Sequence, residues 1–118
     1  MQNKRKLGQE QEQRASETLE KQGYRILQKN YRCKIGEIDL IAVDDGILVF
    51  VEVKYRKTTV SGYPEEAVTL QKQKQISRVA AWYLTEHGLS METPCRFDVV
   101  AVTPDKTRIY KNAFYYVR

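Results

Sequence analysis

Four charged residues interrupt two apolar segments in the middle of the chain. Glu37 and Asp39 lie in the segment EIDLIAV, and Glu52 and Lys54 lie in the segment ILVFVEVK. Both segments are rich in β-branched residues, which is typical of strands. Since side chains alternate along a strand, Glu37 and Asp39 share a face of the first strand, and Glu52 and Lys54 share a face of the second. Carboxylates grouped with a lysine are suited to metal-assisted or acid–base chemistry.

The turn between the two segments decides whether the acids meet. A two-residue turn at Asp45-Gly46 places Asp39 opposite Glu52, whereas a three-residue loop would put the two acids on opposite faces of the hairpin. The Asp-Gly dipeptide favours the two-residue hairpin turn. We therefore expect the carboxylates of Asp39 and Glu52 to converge.

Two carboxylates placed directly across a strand pair, with Cβ atoms about 5 Å apart, repel each other unless a proton or a cation lies between them. Mg²⁺ suits such an oxygen-rich site, because it retains waters and takes phosphate oxygens. Lys54 would then orient the attacking water or steady charge on the phosphate. In the alternative interpretation, Glu37 and Lys54 form a salt bridge and the two acids are charges at a strand edge. The apolar character of the same face elsewhere favours the site.

Glu12 is a further candidate, carried by the helix predicted over residues 8–22. At ~100° per residue it lies about 20° from Leu19 and about 60° from Ala15, so it belongs to the packing face of the helix. A carboxylate on that face costs stability unless it has a partner or a metal. The alternative is a glutamate at the rim of the helix, bonded to a backbone donor.

The positive charge of the chain is concentrated at its amino end. Residues 1–34 contain nine Lys or Arg against four Glu, whereas residues 35–118 contain eleven of each sign. This asymmetry favours a surface that faces a polyanion, with nucleic acid as the first candidate, although a solvated charged face is the alternative. The candidate phosphate contacts are Lys4, Arg5, Lys6, Arg56, Lys57 and Lys72.

The same apolar segments predict the fold. A hairpin that is apolar on both faces needs cover on both sides, so two predicted helices should flank the sheet. The predicted helices cover residues 8–22 and 64–87, and the predicted strands cover residues 24–28, 37–43, 47–54, 96–102 and, in the tail, 109–110 with 114–117. The order α-β-β-β-α-β-β predicts an α/β sandwich. With 118 residues and 42% hydrophobic content, a single domain over residues 1–118 is expected.

Several classes of protein are excluded by what the sequence lacks. No apolar run approaches the ~20 residues of a membrane span, and the first residues contain no apolar signal segment. We therefore expect a cytoplasmic protein without a membrane partner. The two cysteines, Cys33 and Cys95, form neither a disulfide framework nor a metal knuckle and are expected to be reduced thiols.

The spacing of Asp39 and Glu52-Val53-Lys54, with twelve residues between the two acids, resembles the PD-(D/E)xK signature of restriction-endonuclease-like nucleases. A longer series of residues resembles the small bacterial YraN-like family of predicted endonucleases, which is distantly similar to archaeal Holliday junction resolvases. That series covers nearly the whole chain: Gly8, Glu12, Ala15, Leu19, Gly23-Tyr24, Asn30-Tyr31-Arg32, Gly36-Glu37-Ile38-Asp39-Leu40-Ile41, Phe50-Val51-Glu52-Val53-Lys54, Glu66-Ala67-Val68, Lys72, Ala80, Tyr83-Leu84 and Arg96-Phe97-Asp98-Val99-Val100.

The resemblance implies a restriction-endonuclease-like three-layer α/β/α sandwich with a central mixed sheet. It implies that Asp39 and Glu52 bind Mg²⁺ or Mn²⁺ and that Lys54 is the catalytic lysine. Glu12 matches the glutamate of the family's first helix and would complete the acidic cluster. The backbone carbonyl of Val53 is expected as a further metal ligand.

These features together predict a metal-dependent endonuclease that hydrolyses phosphodiester bonds in DNA, with branched or damaged DNA as candidate substrates. One alternative is a nucleic-acid-binding module with a weak or inactive nuclease site, and a second is a protein-interaction domain on the same fold. A homodimer is left open as the assembly. Two residues depart from the patterns: Ile38 stands where the general signature has proline, and Gln11 stands where the family usually has glycine.

Overall fold

Two helices and five strands, in the predicted order, make up the part of the chain that the computed structural model describes, residues 4–57 and 68–118. Of Lys4 and Arg5 only the helical backbone is described. The elements are α1 (Lys4–Lys21), β1 (Arg25–Cys33), β2 (Gly36–Asp44), β3 (Ile47–Tyr55), α2 (Leu70–Glu86), β4 (Cys95–Val102) and β5 (Thr107–Phe114).

The strands form one mixed sheet in the order β1-β2-β3-β4-β5. The pairs β1–β2, β2–β3 and β4–β5 are antiparallel, and β3–β4 is parallel. A parallel pair requires a crossover connection, and α2 lies in that connection. The central strand β3 therefore joins an antiparallel hairpin to a parallel neighbour.

Each face of the sheet packs against one helix. On one face α1 contributes Ala15 and Leu19 to a buried cluster, and on the other face α2 contributes the core of the second cluster. The first cluster contains Ala15, Leu19, Tyr24, Leu40, Ala42, Val49, Val51, Val100 and Val102. The second includes Ile38, Ile41, Phe50, Ile76, Val79, Tyr83, Phe97 and Phe114. The expected α/β sandwich, with helices on both faces of a two-sided apolar hairpin, is confirmed.

The bounds of α2 differ from the prediction. The helix begins at Leu70, where Thr69 caps it by accepting a hydrogen bond from the Lys72 N–H at 3.2 Å. Pro64 lies outside the described residues, and Val68 is a buried core residue that precedes the helix. At its other end the helix stops as expected before Gly88, whose φ of 65° is left-handed.

Other boundaries moved as well. The helix α1 begins at Lys4 instead of Gly8, and β1 continues to Cys33 instead of ending at Gln28. In the tail, β5 covers Thr107–Phe114, and beyond its end the Val117 N–H donates a hydrogen bond to the Ser77 Oγ of α2 at 3.0 Å.

A buried polar network ties β4 to its neighbours. Asp98 is fully buried and accepts hydrogen bonds from the Tyr24 hydroxyl at 2.7 Å, the Arg96 Nε at 2.8 Å and the Asn112 N–H at 2.9 Å. Arg96 also donates to Asp44 at 2.8 Å. The buried carboxylate of Asp98 is thus fully provided with donors and holds β4 to β5 and to Tyr24. Neither helix of the described ranges is long and apolar enough to cross a lipid bilayer.

Candidate active site

The β2–β3 turn has the geometry that brings the acids together. Asp44 pairs with Ile47, and the two residues between them, Asp45 and Gly46, have left-handed φ values of 52° and 78°. Two successive left-handed residues are typical of the type I′ turn, which Asp-Gly favours. The expected two-residue turn is confirmed.

The strands β2 and β3 separate just where the acids lie. Their regular pairing ends at Leu40 and Val51, and the next available backbone donor, the Val53 N–H, binds the Asp39 Oδ2 at 2.8 Å. Alternation also breaks here, because Leu40 packs in the α1-side cluster while Ile38, two residues earlier, packs in the α2-side cluster. Asp39 therefore occupies the gap between the parting strands.

Asp39 and Glu52 form a half-buried acid pair in this gap. Burial raises the pKa of the Glu52 carboxyl to about 8, and repulsion from Asp39 adds to the rise. Burial also raises the pKa of Asp39, against the opposing effect of the hydrogen bond from the Val53 N–H. Two carboxylates in this position share a proton or attract a cation. The structure thus brings together the two acids that the sequence singles out.

Two lysines contribute positive charge to the acid pair. Lys54, on β3, is exposed, and its charge lowers the pKa of Glu52. Lys72, on α2, is half-buried, and its charge lowers the pKa of both Glu52 and Asp39. Glu37, the partner of Lys54 in the alternative interpretation, forms its ion pair with Arg32 at 3.0 Å.

Glu12 lies near the acid pair without joining it. Burial raises the pKa of its carboxyl, a hydrogen bond with the Asn30 side chain opposes the rise, and repulsion from Asp39 adds to it. Within the described ranges, no three His, Cys, Asp or Glu side chains are grouped closely enough to hold a metal ion. Glu12 is thus a neighbour of the pair, and its role as a metal ligand stays a prediction.

Asn30 is a neighbour of the site that sequence reasoning missed. Its φ of 53° is left-handed, and it follows a register shift between Ile26 and Gln28 in β1. Asparagine is enriched in this conformation, so its identity within a strand segment was the available signal. Through its bond with Glu12 it links α1 to β1, the strand that pairs with β2.

The predicted phosphate contacts are spread over three elements. Lys6 lies exposed on α1, while the side chains of Lys4 and Arg5 lie outside what the structure describes. Arg56 and Lys57 follow β3 directly, beyond the acid pair, and the Arg56 N–H is bonded to the Val102 carbonyl at 2.8 Å. Lys72 lies apart from these, on α2.

Fold and site define an α/β sandwich in which a carboxylate pair occupies the gap between two parting strands of a hairpin. The chain belongs to the uncharacterised protein family UPF0102, whose family model matches residues 11–102. It is 51% identical over 112 residues to a UPF0102 protein of Lachnoclostridium phytofermentans, covering 95% of each chain. It is 49% identical over 116 residues to one from Symbiobacterium thermophilum, covering 94% of this chain and 98% of the relative.

A comparison with solved structures finds the crystal structure of SSO0001, at 18% sequence identity and a TM-score of 0.43. The match covers 90% of this chain and 50% of the other, so this chain spans about half the length of that one.

Proposed function

We propose that this UPF0102 protein is a metal-dependent nuclease of the PD-(D/E)xK type that hydrolyses phosphodiester bonds in DNA. The observation that carries the proposal is the half-buried pair of Asp39 and Glu52 in the gap between β2 and β3. Two adjacent carboxylates destabilise the fold unless a proton or a cation binds between them, so their proximity supports a binding site.

The donors present suit a hard divalent cation such as Mg²⁺ or Mn²⁺. Burial and repulsion from Asp39 raise the pKa of Glu52, because both make its charged form less favourable. A cation bound between the two carboxylates would stabilise that charged form. Asp39, Glu52 and the Val53 carbonyl would hold the ion. Two carboxylates suffice, because Mg²⁺ usually keeps several waters and takes substrate phosphate oxygens. When bound, the ion would supply Lewis-acid chemistry, polarising the phosphodiester and activating water.

The protein's own residues would position the reactants. The Val53 N–H fixes one oxygen of Asp39 at 2.8 Å, so this carboxylate is oriented before any ligand arrives. Lys54 follows Glu52 by two residues on the same strand, and strand alternation directs it to the same face. Its exposed ammonium would then contact the attacking water or the phosphate.

DNA is proposed as the substrate because the excess positive charge lies at residues 1–34. A cytoplasmic location, where the protein would meet nucleic acid, goes with this proposal, and branched or damaged DNA stays the candidate class. Homodimer formation stays a prediction.

A nucleic-acid-binding module with an inefficient site is the second candidate function. It is favoured by one observation, that no third carboxylate groups with the pair within the described residues. Cleavage of linear, single-stranded, flapped and four-way DNA should be measured with Mg²⁺, Mn²⁺ or EDTA. Metal-dependent cleavage of any of them supports the nuclease, and salt-dependent binding without cleavage supports the module.

A further inference from the structure

The sheet-facing stripe of α2 contains a lysine at its amino-terminal end. Ile76, Val79 and Tyr83 are buried against the sheet at helical spacing. Lys72 lies four residues before Ile76, which puts it on the same stripe. It is half-buried, whereas its neighbour Lys74 is exposed. A position that the helical pattern would fill with an apolar residue is thus occupied by a cation.

This end of α2 is docked next to Asp39. Three residues after Lys72, the Gln75 side chain donates a hydrogen bond to the Ile35 carbonyl at 3.3 Å. Gly36 lies so close to the Gln75 side chain that a Cβ on this glycine would approach the Gln75 Nε2 to 2.8 Å. Since Gly36 precedes Asp39 by only three residues in β2, the first turns of α2 cover the start of that strand.

Glu52 lies on the side of the sheet that α2 covers. Phe50, which precedes Glu52 by two residues in β3 and shares its face, belongs to the α2-side cluster. In agreement with this placement, the charge of Lys72 lowers the pKa of both acids, and its effect on Glu52 is larger than that of Lys54.

We propose that Lys72 is a catalytic residue that stands over the acid pair and contacts the scissile phosphate of the bound DNA. The inference rests on the proposed nuclease function. During hydrolysis a water oxygen bonds to phosphorus while the ester P–O bond breaks. The sugar oxygen leaves with the electron pair of that bond and gains a proton, the water gives up a proton, and negative charge grows on the phosphate oxygens. Lys72 keeps its proton and forms no covalent bond, so its contribution is the stabilisation of that charge. Thr69, which caps the helix, holds the first turn in place.

Lys72→Ala, Lys72→Arg and the control Lys74→Ala test this role. Lys74 carries the same charge on the same helix but is exposed, so its removal changes the net charge equally. We expect Lys72→Ala to lower kcat by on the order of 10²-fold, with KM for DNA changed no more than in Lys74→Ala. Lys72→Arg should restore part of kcat. Equal kcat values for Lys72→Ala and Lys74→Ala would overturn the proposal.

Mn²⁺ affinity, measured by calorimetry without DNA, gives a second readout. Removing a positive charge beside the acid pair should tighten Mn²⁺ binding, by roughly three- to tenfold, in Lys72→Ala and not in Lys74→Ala. If the wild type cleaves no DNA, the proposed function fails, but this comparison still decides where Lys72 lies. Tighter binding in Lys72→Ala supports its placement, and equal affinities overturn it. Absence of Mn²⁺ binding in every form would overturn both proposals.

Discussion

The backbone N–H of Val53 donates its hydrogen bond to the carboxylate of Asp39, at 2.8 Å, at the point where β2 and β3 stop pairing. A side chain of β2 thus takes the place of a strand carbonyl, so the donor stays satisfied while the strands part. The same bond orients Asp39 beside Glu52. One hydrogen bond therefore both ends the hairpin ladder and shapes the candidate site.

Two substitutions at Asp39 separate these roles. Asp39→Ala leaves the Val53 N–H without its acceptor and should lower the free energy of unfolding by about 1–2 kcal/mol. Asp39→Asn keeps an acceptor oxygen and removes the repulsion with Glu52, so it should be at least as stable as the wild type. Urea denaturation measures both. Equal destabilisation by the two variants would show that the hydrogen bond contributes little.

The stability of the fold should depend on the protonation of Glu52. Its pKa is raised from an ordinary value of 4.5 to about 8, so between these values the folded protein binds more protons than the unfolded chain. The free energy of unfolding therefore falls as the pH rises through this window.

Glu52→Gln removes this titration while keeping the shape of the side chain. Because the charged form of Glu52 is disfavoured in the folded protein, the variant should exceed the wild type in stability by several kcal/mol near pH 8.5, and by much less near pH 5. Denaturation curves at both pH values measure the difference. A constant difference between the two proteins would contradict a raised pKa at Glu52.

Lys54 should act on the reaction more than on binding. Lys54→Ala should lower cleavage on the order of 10²-fold or more, with DNA affinity changed only as far as one charge requires. Glu52→Ala should lose metal affinity as well, because it removes a ligand. Cleavage rates and Mn²⁺ titration of the two variants measure this contrast. Normal cleavage by Lys54→Ala, with Glu52→Ala inactive, would assign Lys54 no part in the chemistry.

The charge at the amino end should govern the salt dependence of DNA binding. Replacing Lys4, Arg5 and Lys6 by alanine should weaken binding and reduce the log–log slope against salt by roughly 0.9 for each DNA phosphate that is no longer neutralised. Fluorescence anisotropy over a range of salt concentrations measures the slope. Lys106→Ala, at an exposed lysine between β4 and β5, is the control. An unchanged slope in the triple variant would show that these residues do not face DNA.

Local chemistry accounts for what the sequence predicted well. The register of β2 and β3 follows from one dipeptide, Asp45-Gly46, because few residues tolerate two left-handed positions in succession. The packing of one helix on each face of the sheet follows from a hairpin that is apolar on both faces. The first signal lies within the hairpin that it determines, and the second lies in the hairpin that the helices cover.

Tertiary contacts account for what the sequence did not predict. The break in alternation at Asp39 depends on a hydrogen bond to Val53, fourteen residues away, and the contact of Glu12 with Asn30 joins two different elements. The start of α2 depends on Val68 being buried in the core, so that Thr69 becomes the cap. Lys72 was predicted as one of several phosphate contacts, and its place over the acid pair depends on how α2 docks.

The most direct test of the nuclease site is the cleavage rate of the wild type and of Asp39→Asn as a function of Mn²⁺ concentration, with the folding of both proteins checked by urea denaturation. The wild-type rate should rise with Mn²⁺, saturate and vanish with EDTA, while the folded Asp39→Asn protein should show no cleavage at any concentration. Equal rates in the two proteins, or a rate that does not depend on the metal, would contradict a metal-dependent nuclease site at Asp39 and Glu52.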